Sequence, residues 1–436
     1  MADGAGSAYP NSWWAASTAT ECYPSVEGTV ETEVAVIGGG FTGLAAARAL
    51  QEEGIDCCVL EARRLGWGAS GRTGAMAVPR YKKGFALLSK MYGAEEASRL
   101  FEILTATISD MENAITAWGV ECDFRRNGHL TAAHTSVAMR ALESDCAWLR
   151  TNLDDAVVEL YTAEQVRDHV GTREYVGGYF DPRGAEIHPL KYVTGMGAAL
   201  HARGARVYEG TPVLGVRDNG AEYIELRVPA GVIRCKNVLF AMNAYAKEAP
   251  GGRHDSIHRY FMPVNSAVIV TEAMDERSAS DVMPICSAVS DTKRLMRYFR
   301  RLPDGRILFG GRGGAANGTS KAIAGRLHQE MLRIFPRLRG LDIAYSWSGR
   351  VGVSSDGFPH IIRAGKRMWC AGGYGGRGVV LSHYLGKHLA YMVTGKDVAE
   401  GPMEETPGKL MRLPVLRVPA TEVAVAYYRL LDSMGR

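Results

Sequence analysis

Between Val34 and Glu61 the spacing of apolar positions changes twice, and those changes lay out an order of elements. Val34 to Ile37 is a continuous apolar run of the kind that fills a strand buried on both faces. From Thr42 to Glu53 the residues are strong helix formers, with alanines on the face that must approach a sheet, and Gly54 closes the helix. Cys57 to Leu60 is apolar again and predicts a second strand. Gly38-x-Gly40-x-x-Gly43 stands between the first strand and the helix. In that setting the first glycine permits a tight turn, the second lets a pyrophosphate reach the backbone, and the third lets helix and strand pack closely. Glu61 ends the second strand, where a carboxylate accepts hydrogen bonds from a ribose hydroxyl and repels a 2′-phosphate. Strand, helix, second strand and terminal acid in register predict a dinucleotide site.

Beyond this unit the pattern turns helical from Phe85 to Trp118, with Leu100, Ile103, Leu104, Ile108 and Met111 at three- and four-residue spacing. A strand pair, Gly119 to Phe124 and Gly128 to Ala133, precedes a helix from Ser136 to Leu149, and Thr162-x-x-Gln165 is a capping-box signal. A strand from Tyr175 to Phe180 leads to a helix from Pro189 to Ala202, then to strands in Gly204 to Val213, Tyr223 to Val228, Val232 to Arg234 and Val238 to Met242. From about Gly251 to Gly340 the strands Asn265 to Thr271, Leu295 to Arg300 and Arg306 to Phe309 alternate with turn signals at Pro303-Asp304-Gly305 and Gly310 to Gly314. Met296, Tyr298 and Arg300 share one face of their strand, while Leu295, Arg297 and Phe299 share the other. Tyr298 and Arg300 are the candidate substrate residues, since tyrosine with arginine suits a polar or carboxylate-bearing ligand. Structural aromatics and solvated arginines are the competing reading, and the sequence leaves open which face meets a substrate.

The expected architecture is α/β with two domains. A Rossmann-type dinucleotide-binding domain comprises 28–88, 184–250 and 341–400. An inserted antiparallel-sheet substrate domain comprises 89–183 and 251–340, and 1–27 and 401–436 are terminal extensions. A length of 436 residues fits this division, because one hydrophobic core seldom serves so long a chain. The 51 basic and 47 acidic residues leave a net +4, too little to indicate nucleic acid or a membrane surface. The 8 cysteines are scattered without metal-ligand spacing and read as reduced thiols of a cytoplasmic protein, so no metal site is expected. No apolar run approaches the roughly 18 to 20 residues of a membrane span. The first residues lack the basic and apolar regions of a signal peptide. Trp13 and Trp14 should hold the amino-terminal tail against the body.

Two further stretches carry chemistry. After Glu61, the segment ARRLGWGASGRTGAMAVP alternates small residues with Arg63, Arg64 and Arg72, so backbone amides and guanidinium groups can face phosphates and a ring edge. Gly373-x-Gly375-x-x-Gly378 repeats the dinucleotide pattern near the end of the chain. No apolar strand or strand-terminal acid follows Thr394, so a second nucleotide site is not expected. Instead, the turn can bring the positive end of a helix, with Arg377 beside it, against an anionic group.

Taken together, YPNSWWAAS, VAVIGGGFTGL, LEARRLGWGASGR, RYFRRLPDGRILFGGR, SDGFPHI and GGYGGRGV resemble the FAD-dependent oxidoreductases of the D-amino-acid oxidase and sarcosine oxidase group. Within that group the likeness is to γ-glutamylputrescine oxidase-type enzymes, and it covers nearly the whole chain. The resemblance implies a D-amino-acid oxidase-like fold and FAD, with its ADP half on Gly38, Gly40, Phe41, Thr42, Gly43 and Glu61. The pyrophosphate and flavin would follow Ala62, Arg63, Gly68, Ala69, Ser70 and Arg72, the adenine would lie near Val213, and the pyrimidine edge of the flavin would meet Gly375, Gly376, Arg377 and Gly378. It also implies oxidation of a carbon–nitrogen bond in an amine or amino-acid substrate, with hydride passing to flavin N5 and water hydrolysing the imine.

The chain departs from the family pattern in four places. No cysteine stands near Trp347 to Arg350, where covalent members carry one, so the FAD should be non-covalent. Leu308 stands where sarcosine oxidases place an oxygen-activating lysine, which bears on whether O2 or an electron carrier accepts the electrons. Arg72-Thr73-Gly74-Ala75-Met76 replaces a usual RNGG, and Arg377 replaces the usual histidine of the closing turn. A flavin takes hydride from an amine only when the nitrogen lone pair is free, so the pocket should favour the neutral amine, with no obligatory side-chain base. His188, His360 and His383 are therefore expected to be structural. A non-catalytic FAD-binding assembly protein is the competing class.

Overall fold

In the computed structural model, the residues described are 8–220, 222–248, 257, 259–314, 321–396 and 401–403. Of the expected terminal extensions, 1–7 and 404–436 lie outside them.

The predicted strand–helix–strand unit forms the centre of an eight-stranded sheet. Gly28–Ile37 pairs in parallel with Cys57–Leu60 on one side and with Gly231–Phe240 on the other. The order continues outward to Arg206–Tyr208 beyond Cys57–Leu60, and to Met368–Gly372 and His360–Gly365 beyond Gly231–Phe240. Its central strands are buried on both faces, which explains their unbroken apolar runs. The two short strands expected at 232–234 and 238–242 are one, Gly231–Phe240: its first half pairs with Ile224–Val228 and its last residues with Met368–Gly372. The strand expected through Thr211 and Val213 ends at Tyr208.

A second eight-stranded sheet combines both insertions. Met262–Thr271, Ile307–Gly314, Arg297–Arg301 and Ala288–Asp291 run antiparallel from the second insertion, and a parallel pairing of Ala288–Asp291 with His129–Ala133 joins them to strands of the first. The edge strand at the other side is Ile343–Val353, which pairs with Met262–Thr271 over nearly its full length. This corrects the expectation that 341–400 lies wholly with the dinucleotide-binding part. Gly310 to Gly314, read as a turn, continues its strand, because Gly310 and Gly311 are paired with Tyr298 and Arg297. The strand expected at 119–124 is absent: the chain turns at Gly119, with φ +66, and only Arg125 bridges to Glu186.

The helical readings hold with one division. Phe85 to Trp118 is two helices, Phe85–Tyr92 and Ala94–Ala117, broken at Gly93, whose φ of +92 a side chain would resist. The capping box at Thr162 and Gln165 forms reciprocally, and Pro189–Ala202 begins with proline in its first turn. Among the described residues, no helix is long and apolar enough to cross a membrane.

Candidate cofactor and substrate site

Helix Phe41–Glu52 starts at Gly40, which supplies no side-chain cap. Its first amides therefore remain available to an anion, apart from the Phe41 N–H, which donates to Ser70 Oγ at 2.9 Å. Gly43 is required by close approach, since a Cβ there would run into the Gly38 carbonyl oxygen. Glu61 is aimed by the backbone: the Gly39 N–H donates to Oε2 at 2.8 Å and the Arg63 N–H to Oε1 at 2.9 Å. Burial raises the pKa of this carboxyl, and the two N–H donors oppose that rise.

The loop after Glu61 is held mainly through its carbonyls. Trp14 Nε1 donates to the Thr73 carbonyl at 3.0 Å and Trp347 Nε1 to that of Arg72 at 2.9 Å. Arg72 donates to the carbonyls of Trp67 and Ser348, and the Arg63 and Arg72 guanidinium groups lie 4.0 and 4.2 Å from the Trp67 ring centre. Arg64 departs from the reading that placed it toward phosphates. It pairs with buried Glu209 at 2.8 Å and ties down the amino-terminal segment through Thr20 and Glu21.

The closing glycine turn meets the first one directly. Helix Gly378–Thr394 packs on helix Phe41–Glu52 so closely that a Cβ on Gly386 would strike the Thr42 carbonyl oxygen. This aligns the two helix starts, and Thr42 Oγ1 lies 2.7 Å from the Tyr374 hydroxyl. Arg377 occupies the N-cap position of the second helix and lines the cavity. Burial, with Arg80 adding repulsion, pushes its pKa down to about 10.

One cavity is lined by both glycine turns, by Glu61 and Val213 of the first sheet region, and by Ser290, Met296 and Tyr298 of the second. Every residue expected to touch the cofactor lines it except Gly43, whose part is the packing just described. Tyr298 lies on its wall with its hydroxyl 3.0 Å from Ser266 Oγ, and burial pushes its pKa up to about 12. Arg300 is not on the wall, which corrects its assignment as a substrate residue. It is 4% exposed, pairs with Glu186 at 3.0 Å, donates to the Ile187 carbonyl and lies 5.3 Å from the Trp14 ring. Beyond Tyr298 the sheet face is covered by these elements, so the cation is spent on a buried carboxylate.

The three histidines expected to be structural lie off the cavity wall. His188 Nδ1 accepts from the Lys191 N–H at the start of its helix, His383 Nε2 meets the Tyr192 hydroxyl at 2.7 Å, and His360 pairs with Asp356. Wall residues that sequence reasoning missed include Asn243, Asn265, Ser266 and Ser290. Asn243 left a faint signal, being a residue type that tolerates the left-handed backbone, here φ +46, and its Oδ1 accepts from the Gly373 N–H at 3.0 Å. Ser290 left none, because its strand, Ala288–Asp291, is too short and polar to be read. Among the described residues, no cysteine or histidine lines the cavity and no group of residues suited to a metal occurs.

These features fit FAD: uncapped helix amides for phosphate, an oriented acid for ribose, and a second helix start with a cation for an electron-rich ring edge. A family model described as FAD dependent oxidoreductase, DAO, matches residues 33–392. The probable oxidoreductase OrdL of Haemophilus influenzae is 30% identical over 94% of this chain and 94% of its own. The γ-glutamylputrescine oxidoreductase of Escherichia coli is 30% identical over 98% and 99%. Glycine oxidase from Geobacillus kaustophilus superposes with a TM-score of 0.73 at 18% identity, covering 88% of this chain and 99% of that one, and so shares the fold. The chain belongs to the DAO family of FAD-dependent oxidoreductases, acting on amine- or amino-acid-like substrates.

Proposed function

We propose that the protein oxidises a C–N bond in a substrate that carries an anionic group, as an amino acid does, and passes the electrons to O2 with formation of H2O2. When bound, FAD supplies the hydride acceptor. The observation that carries the reading is the charge of the cavity wall. Among the described residues it holds four arginines, Arg63, Arg72, Arg350 and Arg377, and one acid, Glu61, whose two oxygens already accept backbone N–H groups. Apart from Glu61, which the FAD ribose would engage, a substrate ammonium finds no carboxylate there among the described residues, so the amine is favoured in its neutral form, whereas a carboxylate finds Arg377. The likeness to γ-glutamylputrescine oxidoreductase supports amine chemistry.

The residue assignments follow from this reading. Gly38, Gly40, Phe41, Thr42 and Glu61 take the ADP half, and Val213 borders the adenine. Ala62, Arg63, Gly68, Ala69, Ser70 and Arg72 follow the pyrophosphate and flavin, while Gly375 to Gly378 meet the pyrimidine edge. Tyr298 and Arg377 border the substrate. The FAD is non-covalent and the protein cytoplasmic.

A second reading, transfer of electrons to a quinone or carrier protein, is favoured by one observation. Among the described residues no lysine lines the cavity, and Leu308 is fully buried opposite Arg300.

The test is an anaerobic panel of butylamine, putrescine, glycine, sarcosine, D- and L-proline and 4-aminobutyrate against the yellow holoenzyme. Bleaching by carboxylate-bearing amines, with recovery in air and peroxide formation, is expected. Bleaching without rapid recovery selects the carrier reading. A flavin inert to the whole panel overturns the reading in favour of a non-catalytic FAD protein.

A further inference from the structure

Ser290 lines the cavity beside Tyr298, its partner across the sheet, and its hydroxyl lies 3.1 Å from Nε2 of His129. Both residues are almost fully buried, Ser290 at 1% and His129 at 2% exposure, so the imidazole reaches the cavity only through the serine. We propose that Ser290 and His129 form a proton relay that deprotonates the substrate's ammonium group. Ser290 Oγ takes the ammonium proton while its own hydroxyl proton passes to Nε2 of His129, in the tautomer with hydrogen on Nδ1. The amine gains its lone pair, serine remains a hydroxyl, and histidine becomes imidazolium. No electrons move in this step. The proposal rests on the reading of the protein as an amine or amino-acid oxidoreductase.

The surrounding charges make the relay responsive to substrate. Burial first, then the fields of Arg377 and Arg80, hold His129 neutral and a poor proton acceptor. Arg80 is already paired with Asp145 from helix Ser136–Leu153. On the neighbouring strands, Asp181, opposite His129, is engaged by Arg183, and Asp291 accepts from the Lys293 and Arg297 amides. Among the described residues, the Arg377 guanidinium has no side-chain partner. A substrate carboxylate on Arg377 cancels one of the two positive fields and raises the basicity of His129 at the moment an ammonium group is present. This supplies the neutral amine without a carboxylate base, which would attract and trap the cation.

The test measures the rate of anaerobic flavin bleaching against pH at saturating concentration, using the carboxylate-bearing amine of the panel that bleaches fastest. Wild type, Ser290→Ala, Ser290→Thr and His129→Asn are compared, with FAD content and thermal stability as controls for folding. The wild-type rate should rise with pH to a plateau. Ser290→Ala should be slower by on the order of tenfold or more below the wild-type midpoint. Its midpoint should move up by about one pH unit, and the rate should return to the same plateau where the substrate is already neutral. Ser290→Thr should keep the wild-type midpoint, and His129→Asn should behave as Ser290→Ala. A Ser290→Ala midpoint that does not move, or a loss equal at every pH, overturns the relay alone. Wild-type flavin that no amine bleaches overturns the relay and the proposed function together.

Discussion

The Thr42 hydroxyl and the Tyr374 phenol lie 2.7 Å apart although 332 positions separate them in sequence. The bond joins the dinucleotide turn to the closing turn and fixes the spacing between two helix starts that face one cavity. Tyr374→Phe leaves the buried Thr42 hydroxyl without this partner, so stability should fall by about 1 kcal/mol. FAD affinity should weaken severalfold as the two turns lose register. Thermal unfolding and FAD titration check this, and unchanged values for both would make the bond incidental.

Glu61 is held by two backbone N–H groups, and an arginine in its place would leave both donors unpaired while adding a charge where a ribose hydroxyl should donate. Glu61→Arg is expected to weaken FAD binding by at least about tenfold, the factor that 1.4 kcal/mol represents. Retained affinity would mean that the acid does not meet the ribose.

Arg377→Ala separates two roles for one cation. If Arg377 stabilises the reduced flavin, its loss lowers the midpoint potential by roughly 20 to 45 mV, which corresponds to about 1 to 2 kcal/mol for a charge in a partly dry site. If it holds a substrate carboxylate, the potential stays and the apparent KM rises. The proposed function expects the second effect, read by redox titration beside steady-state kinetics. Neither effect appearing would leave Arg377 without a part in the chemistry.

Acid should destabilise the fold over a defined range. Burial lowers the pKa of His169 and His383 to about 4 and of His188 to about 3. Unfolded imidazoles take their proton near pH 6.5, so between that value and the folded values the unfolded chain binds more protons and stability falls as pH falls. At pH 5 the loss is on the order of 2 kcal/mol for each such histidine. Tm measured from pH 7.5 to 4.5 should decline below about 6.5. A flat profile would contradict the buried neutral state of these rings.

What was legible in the sequence follows from how local each signal is. Val34 to Glu61 could be read because strand, turn, helix and acid are consecutive, and Gly43 answers a contact with Gly38 inside the unit. Tyr298 and Arg300 show the limit. Alternation puts them on one face, but only the fold reveals that Glu186 and Trp14 cover the far end of that face. The antiparallel sheet was expected, but the join between its two insertions was hidden for the same reason, since it is made by Ala288–Asp291 pairing with His129–Ala133 from the other insertion. Ser290 and His129 meet across that join, and no spacing rule connects them.

The indole of Trp14 has a consequence for how the protein must be made. It donates to Thr73, packs edge-on against His188 and lies 6.2 Å from Trp347, so its partners are spread over most of the chain. A helix of four residues, Trp13–Ala16, cannot hold itself together in water. Trp14 is therefore buried only where Thr73, His188 and Trp347 already stand together, so this segment docks late in folding, on a surface assembled from residues far apart in the chain.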